Sequence, residues 1–228
     1  CLNAADAKGL VGQGVETELP PKLPDGAVAL AEGGDSFELM LDGNKIKHQF
    51  VQTEMEGFLR DLKTDYSAGD DAMYADAPLM KVYRGGTRFS KHYLGPNCVP
   101  AFDGEKKDGE GEEFDCAVQI DAHPAVRFWL RNLAKHHRSF SLPLSHDSFY
   151  PDFVGELTDG RLFAVEYKGE HLRNAKDTLE KDAIGRLWAA KSGGKCLYAT
   201  VYKSDGGLDV KGQLDLVVRA ANRGRSVR

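Results

Sequence analysis

The chain has 228 residues, of which 41% are apolar and 29% charged, with nine prolines scattered along it. That composition excludes low-complexity and collagen-like proteins and leaves room for one large domain or two small ones around a buried core. No apolar run reaches the length of a bilayer span and no charged-then-apolar leader opens the chain, so a soluble, cytoplasmic protein without a membrane partner is expected.

The net charge of −5 hides an asymmetry: residues 1–121 hold 12 Lys and Arg against 23 Asp and Glu, giving −11, and residues 122–228 hold 18 against 12, giving +6. A phosphate-binding surface needs local cations rather than a basic whole chain, so the second half is the candidate for nucleic-acid contact. The first residue is Cys1 rather than Met, which is expected of a fragment of a longer polypeptide or of a trimmed chain. The four cysteines, Cys1, Cys98, Cys116 and Cys196, form no C-x-x-C pair. Reduced thiols are expected rather than a zinc site or a disulfide framework.

Residues 1–34, with the run Pro20-Pro21-Lys22-Leu23-Pro24-Asp25-Gly26, read as a linker or irregular lead-in. Residues 35–102 read as a small α+β module. In it Phe37, Leu39 and Leu41 alternate with polar residues, Asp42-Gly43-Asn44 turns the chain, and Ile46, His48 and Phe50 alternate on the return. Thr53 and Glu56 form a capping box ahead of Met55, Phe58, Leu59 and Leu62 at helical spacing. An acidic loop over 65–78 and strand-like pieces at 79–84 and 90–94 follow. The segment 103–113 (DGEKKDGEGEE) reads as a charged surface loop and module boundary.

The last segment, 112–228, has a sharper pattern. A first helix is expected over 113–121, and a second from Pro124 with Val126, Trp129, Leu130 and Leu133 on one face. Strands are expected at 139–144, 149–157 and 161–168, the last two joined by Thr158-Asp159-Gly160. A long helix over 174–192 should turn Leu179, Ala183, Leu187 and Trp188 inward and stop at Gly193-Gly194, before a strand at 195–202. Leu214, Val217 and Val218 mark one more helix in the tail.

Chemistry concentrates in Tyr150-Pro151-Asp152-Phe153, Asp159-Gly160-Arg161 and Val165-Glu166-Tyr167-Lys168-Gly169. Strand residues alternate faces, so Glu166 and Lys168 share one. Asp152 joins them only if Leu157 pairs with Arg161 across a three-residue loop; a two-residue loop would set Asp152 opposite Tyr167. A left-handed Gly160 favours the three-residue loop, and that register is predicted. Two carboxylates would then hold Mg²⁺, with Mn²⁺ as a substitute, and Lys168 would act on the attacking water and on charge growing at phosphorus. E-x-K alone is weak; the apolar strand FAVEYK around these charges strengthens it, because unpaired charge inside a sheet is costly.

Pro151-Asp152, thirteen intervening residues and Glu166-x-Lys168 resemble the PD-(D/E)XK nuclease motif. The expected order of helix, three strands, helix and strand is similar to that superfamily's α/β restriction-endonuclease-like core. The run FYPDF…DGR…VEYKG, preceded by VRFWLRN and FSLP, resembles the C-terminal nuclease of type III restriction subunits and of related helicase–nuclease proteins of bacterial defence. The resemblance covers the last half of the chain. It implies Mg²⁺-dependent cleavage of DNA, with an ATP-driven helicase region elsewhere in the same polypeptide and a dimer left open. It also implies a further ligand from the first core helix: Glu113, with Glu112 and Asp115 as alternates. An acidic residue at a helix N-terminus is as readily explained by the helix dipole.

Lys176 and Lys181 on the long helix, and Arg173 just after the motif strand, are candidate phosphate contacts, although exposed helical faces carry such residues by default. No phosphate loop, H-E-x-x-H or G-x-S-x-G pattern occurs, so neither ATP hydrolysis by this chain nor acyl transfer is expected. A reading from another class is a non-catalytic DNA-binding or assembly module with a relict nuclease fold.

Overall fold

A computed structural model describes residues 28–33, 36–41, 44–49, 82–102, 111–136, 139–173 and 175–223. The expected helix at 53–62, the acidic loop at 65–78 and most of the charged loop at 103–113 lie outside the described residues.

Three strands open the described chain: β1 (Val28–Gly33), β2 (Ser36–Leu41) and β3 (Asn44–Gln49), an antiparallel sheet in the order β1-β2-β3. The predicted hairpin is present, with Leu41 paired to Asn44 across residues 42–43. The end of the expected lead-in is itself a strand, because Val28 to Gly33 finds an edge on β2. Of the strand-like piece at 79–84 only 82–84 are described; they and the piece at 90–94 make single bridges, Val82 to Pro100 and His92 to Trp129. Although the sequence groups residues 82–102 with the N-terminal module, Phe89, Val99 and Phe102 pack in one buried cluster with Phe114, Ile120 and Trp129.

The rest is mixed α/β. Helix α1 (Glu112–Ala122) leads into strand β4 (Val126–Arg131), and a two-stranded ribbon follows, β5 (Leu142–Pro143) with β6 (Ser148–Phe149). Strands β7 (Phe153–Leu157) and β8 (Leu162–Tyr167) come next. Helix α2 (Lys176–Lys191), strand β9 (Cys196–Val201) and helix α3 (Val210–Arg223) complete the order. The main sheet runs β4-β7-β8-β9, antiparallel except for the parallel β8–β9 pair that α2 bridges as a crossover.

One sheet face is covered by α2, where Leu162, Ala164 and Val154 meet Ile184, Leu187 and Trp188. The other is covered by α1 and α3, where Phe163, Val165 and Phe153 meet Ala117, Ile120 and Leu214. Three expectations fail here. Residues 126–131 are a strand, not a helix: Trp129, Leu130 and Arg131 are consecutively buried because both faces and the strand end are covered. The apolar spacing 126, 129, 130 therefore imitates a helical face. The first sheet strand is thus β4, and the expected strand at 139–144 shrinks to the two residues of β5. Leu179 is 56% exposed, and Ile184 with Gly185 takes the inward place. Gly193 and Gly194 end α2 at φ of 66° and 81°, as their positions predict. Among the described residues no helix is long and apolar enough to cross a membrane.

Candidate active site

The hairpin between β7 and β8 sets the site. Gly160 is left-handed at φ 82°, the amide of Gly160 donates to the carbonyl of Leu157 at 3.0 Å, and the amide of Leu157 donates to that of Arg161 at 2.8 Å. Phe153 pairs with Val165 and Glu156 with Leu162, so one further step brings Asp152 opposite Glu166, the predicted register. Leu157 and Arg161 are a hydrogen-bonded pair, and alternation then makes Asp152 and Glu166 a non-hydrogen-bonded pair. In such pairs facing side chains lie closest.

Glu166 is 3% exposed, yet its Oε1 lies 2.6 Å from Lys168 Nζ. Its second oxygen, Oε2, is buried without any hydrogen-bond partner. Asp152 is partly buried and accepts a hydrogen bond from the Tyr167 amide through Oδ2 at 2.7 Å. Burial, and then the neighbouring Glu166, pushes the Asp152 carboxyl well above its ordinary value, against the pull of the Tyr167 amide, Lys168 and Arg131. Burial likewise raises Glu166, opposed by Lys168 and Lys181. For Lys168 burial pulls downward, but Glu166 and Asp152 outweigh it, and the ammonium is held more firmly protonated than usual. The two carboxylates therefore repel each other where burial weakens their hydration, with the Lys168 ammonium paired to Glu166.

Glu113 comes near this group only through an intermediary. Its carboxylate is held by Arg131 Nη2 at 2.8 and 3.0 Å, and that buried guanidinium is among the charges acting on Asp152. Glu112 accepts from the Tyr167 hydroxyl at 3.2 Å on the opposite sheet face, and Asp115 is exposed. Among the described residues no cluster of three or more His, Cys, Asp or Glu side chains has metal-binding geometry.

The predicted phosphate contacts separate. Arg173 is committed to other work: it pairs with Glu170 at 3.0 Å and Asp205 at 2.9 Å, and its guanidinium carbon lies 3.8 Å from the Tyr202 ring centre. Lys176 is exposed at the start of α2. Lys181 pairs with Asp177 at 2.7 Å, with its Nζ 5.9 Å from the centre of the Phe149 ring.

Two contributors were missed by sequence reasoning. One is Arg131. The other is Asn132, whose Nδ2 donates to the carbonyls of Phe140 and Pro151, both at 2.8 Å, and whose Oδ1 accepts from the Phe140 amide at 3.0 Å. The Asn132 amide also donates to the Asp152 carbonyl at 2.8 Å, so one buried side chain and its backbone pin the Pro151-Asp152 step to the end of β4. The polar pair Arg131-Asn132 closing the apolar run VRFWL was the available signal.

The fold and site together define a mixed α/β protein with a mutually repelling carboxylate pair, Glu166 buried and Asp152 partly so, and a salt-bridged lysine at the open end of its central hairpin. No protein-family model, curated protein or solved structure matches the chain.

Proposed function

We propose that this chain is a metal-dependent nuclease that hydrolyses DNA phosphodiester bonds at Asp152, Glu166 and Lys168. The observation that carries the reading is the hairpin register, which sets Asp152 against Glu166 and leaves Glu166 Oε2 buried and unpartnered. Buried polar atoms are rarely left unsatisfied without a reason, and two like charges beside an orphaned oxygen suit a hard divalent cation. Asp152 and Glu166 would hold Mg²⁺ or Mn²⁺. When bound, the ion would polarise the scissile phosphate and ease ionisation of a water.

Lys168, kept an ammonium by Glu166, is suited to donating to a phosphate oxygen and offsetting charge there, rather than to acting as a base. The order helix, three strands, helix, strand around the main sheet supports a restriction-endonuclease-like core. The excess of cations after residue 121 supports a polyanionic substrate. Within this reading the chain acts as the nuclease portion of a restriction or defence protein, with translocation supplied by a helicase region of the same polypeptide.

The test is cleavage of supercoiled, linear duplex and single-stranded DNA by the purified chain in Mg²⁺, Mn²⁺ or EDTA. Cleavage should require metal, and Asp152→Ala or Lys168→Ala should lower it by on the order of 10²-fold or more. Full cleavage by either variant overturns the assignment. Absence of metal-dependent cleavage on every DNA form favours a non-catalytic module instead.

A further inference from the structure

The face of β8 turned toward α2 carries Leu162, Ala164 and Glu166, and Lys168 continues the alternation just past the strand end. Because β8 and β9 are parallel, the crossover helix runs back along the sheet in the opposite direction. On that helix Trp188, Ile184, Lys181 and Asp177 follow one another toward the N-terminus at spacings of four, three and four residues, which places them on one stripe. Laid against each other, the two rows match. Leu162 and Ala164 share a buried cluster with Trp188 and Ile184. Continuing this register outward by the rise of each element sets Glu166 at the level of Lys181 and Lys168 at the level of Asp177.

The charged ends of both rows are internally paired, Lys168 with Glu166 at 2.6 Å and Lys181 with Asp177 at 2.7 Å. Four charges of alternating sign thus connect the strand end to the helix start. Lys181 is also sheltered, at 22% exposure, with Nζ 5.9 Å from the centre of the buried Phe149 ring, whereas Asp177 is 64% exposed at the mouth. An ordinary surface lysine on an exposed helix face has neither the shelter nor the opposing carboxylate.

We propose that Lys181 is a second cation of the active site, set beside the reacting phosphate, and that Asp177 is the positioning residue that holds Lys181 and steadies Lys168. The inference rests on the nuclease reading and deepens it. Lys181 then serves the reaction itself, where a remote phosphate contact would serve only general attachment to DNA. Asp177, a residue with no metal to bind, acts through the two lysines.

The experiment uses the full chain and Lys181→Met, Lys181→Arg, Asp177→Asn and the double variant Lys181→Met/Asp177→Asn. Lys211→Met, which removes a cation from an i,i+4 pair on α3, serves as the remote control. Thermal melts establish that each is folded. Two readouts follow: cleavage kinetics resolved into kcat and KM for DNA, and Mn²⁺ affinity by calorimetry without DNA. Lys181→Met should lower kcat by on the order of 10²-fold, the size of effect seen on removing one transition-state donor, with little change in KM. Lys181→Arg should recover part of that loss. Asp177→Asn should lower kcat too, and the double variant should be no worse than Lys181→Met, because the pair acts as a unit.

Without DNA, Lys181→Met should tighten Mn²⁺ binding and Asp177→Asn should weaken it, with Lys211→Met unchanged. Wild type that cuts DNA while Lys181→Met matches it in kcat and Mn²⁺ affinity overturns this inference alone. A Lys181→Met defect confined to KM also overturns it. Wild type that neither binds Mn²⁺ nor cuts DNA overturns the nuclease reading and this inference with it.

Discussion

If Asp152 and Glu166 repel each other in a water-poor site, then neutralising one of them should stabilise the metal-free protein. The substitution is Asp152→Asn. It keeps an oxygen to accept from the Tyr167 amide and offers an amide donor, in place of a like charge, to the neighbouring Glu166, whose Oε2 is orphaned. Satisfying a buried acceptor is worth about 1–3 kcal/mol, and the lost attraction of Asp152 to Lys168 and Arg131 offsets part of it. The expected net gain is about 1–2 kcal/mol, or a Tm rise of about 3–6 °C for a chain of this size.

The pH dependence follows from linkage. The folded Asp152 carboxyl titrates above its ordinary 3.8, so the folded state binds more protons than the unfolded one in that window, and wild-type stability falls as pH rises through it. The advantage of Asp152→Asn should therefore be largest at pH 8 and shrink as the pH is lowered toward 4. Scanning calorimetry in EDTA from pH 5 to 8 measures it. With excess Mn²⁺ the order should reverse, because only wild type gains the full binding contribution. A variant that melts at or below wild type in EDTA at pH 8 would refute the claim that the site stores repulsion.

Gly155→Ala should destabilise by about 3 kcal/mol, because a Cβ there would overlap the carbonyl oxygen of Phe128 and the ring of Phe163; denaturant melts should show a lower midpoint at unchanged slope. Asn132→Ala leaves three buried backbone groups unpaired and should cost about 3 kcal/mol, with weaker Mn²⁺ binding as Asp152 loosens. Burial holds the His92 imidazole down to about 4, against an ordinary 6.5. Its contribution is full above pH 6.5 and is lost as the pH falls toward 4, up to about 3 kcal/mol, so His92→Asn should flatten the acid limb of the stability profile.

How far the sequence reaches can be judged at two stretches of the main sheet. Around Thr158–Gly160 the local chemistry is decisive: one glycine must take a left-handed conformation, which fixes loop length, and loop length fixes which side chain opposes Glu166. Asp152 and Glu166 were therefore placed correctly from sequence, fourteen residues apart in the chain. At residues 126–131 nothing local decides. Trp129, Leu130 and Arg131 are all buried because residues 82–102 cover the edge of β4 and both sheet faces are packed. A strand covered on every side loses its period of two and imitates a helix.

The sequence names Glu113 and Lys181 as candidates but not what surrounds them, for the same kind of reason. Glu113 lies in the first turn of α1, where the helix dipole alone accounts for a carboxylate, and its actual partner, Arg131, sits at the end of the misread strand. Asp177 and Lys181 look like a routine i,i+4 helix pair until the crossover is known to run antiparallel to β8. Only then do the charged halves of strand and helix fall into register. Local rules thus specify the carboxylate pair, and long-range topology supplies the cations around it. Variants of Gly160 should accordingly alter metal binding by displacing Asp152 from Glu166, whereas variants of Lys181 should alter turnover and leave the hairpin in place.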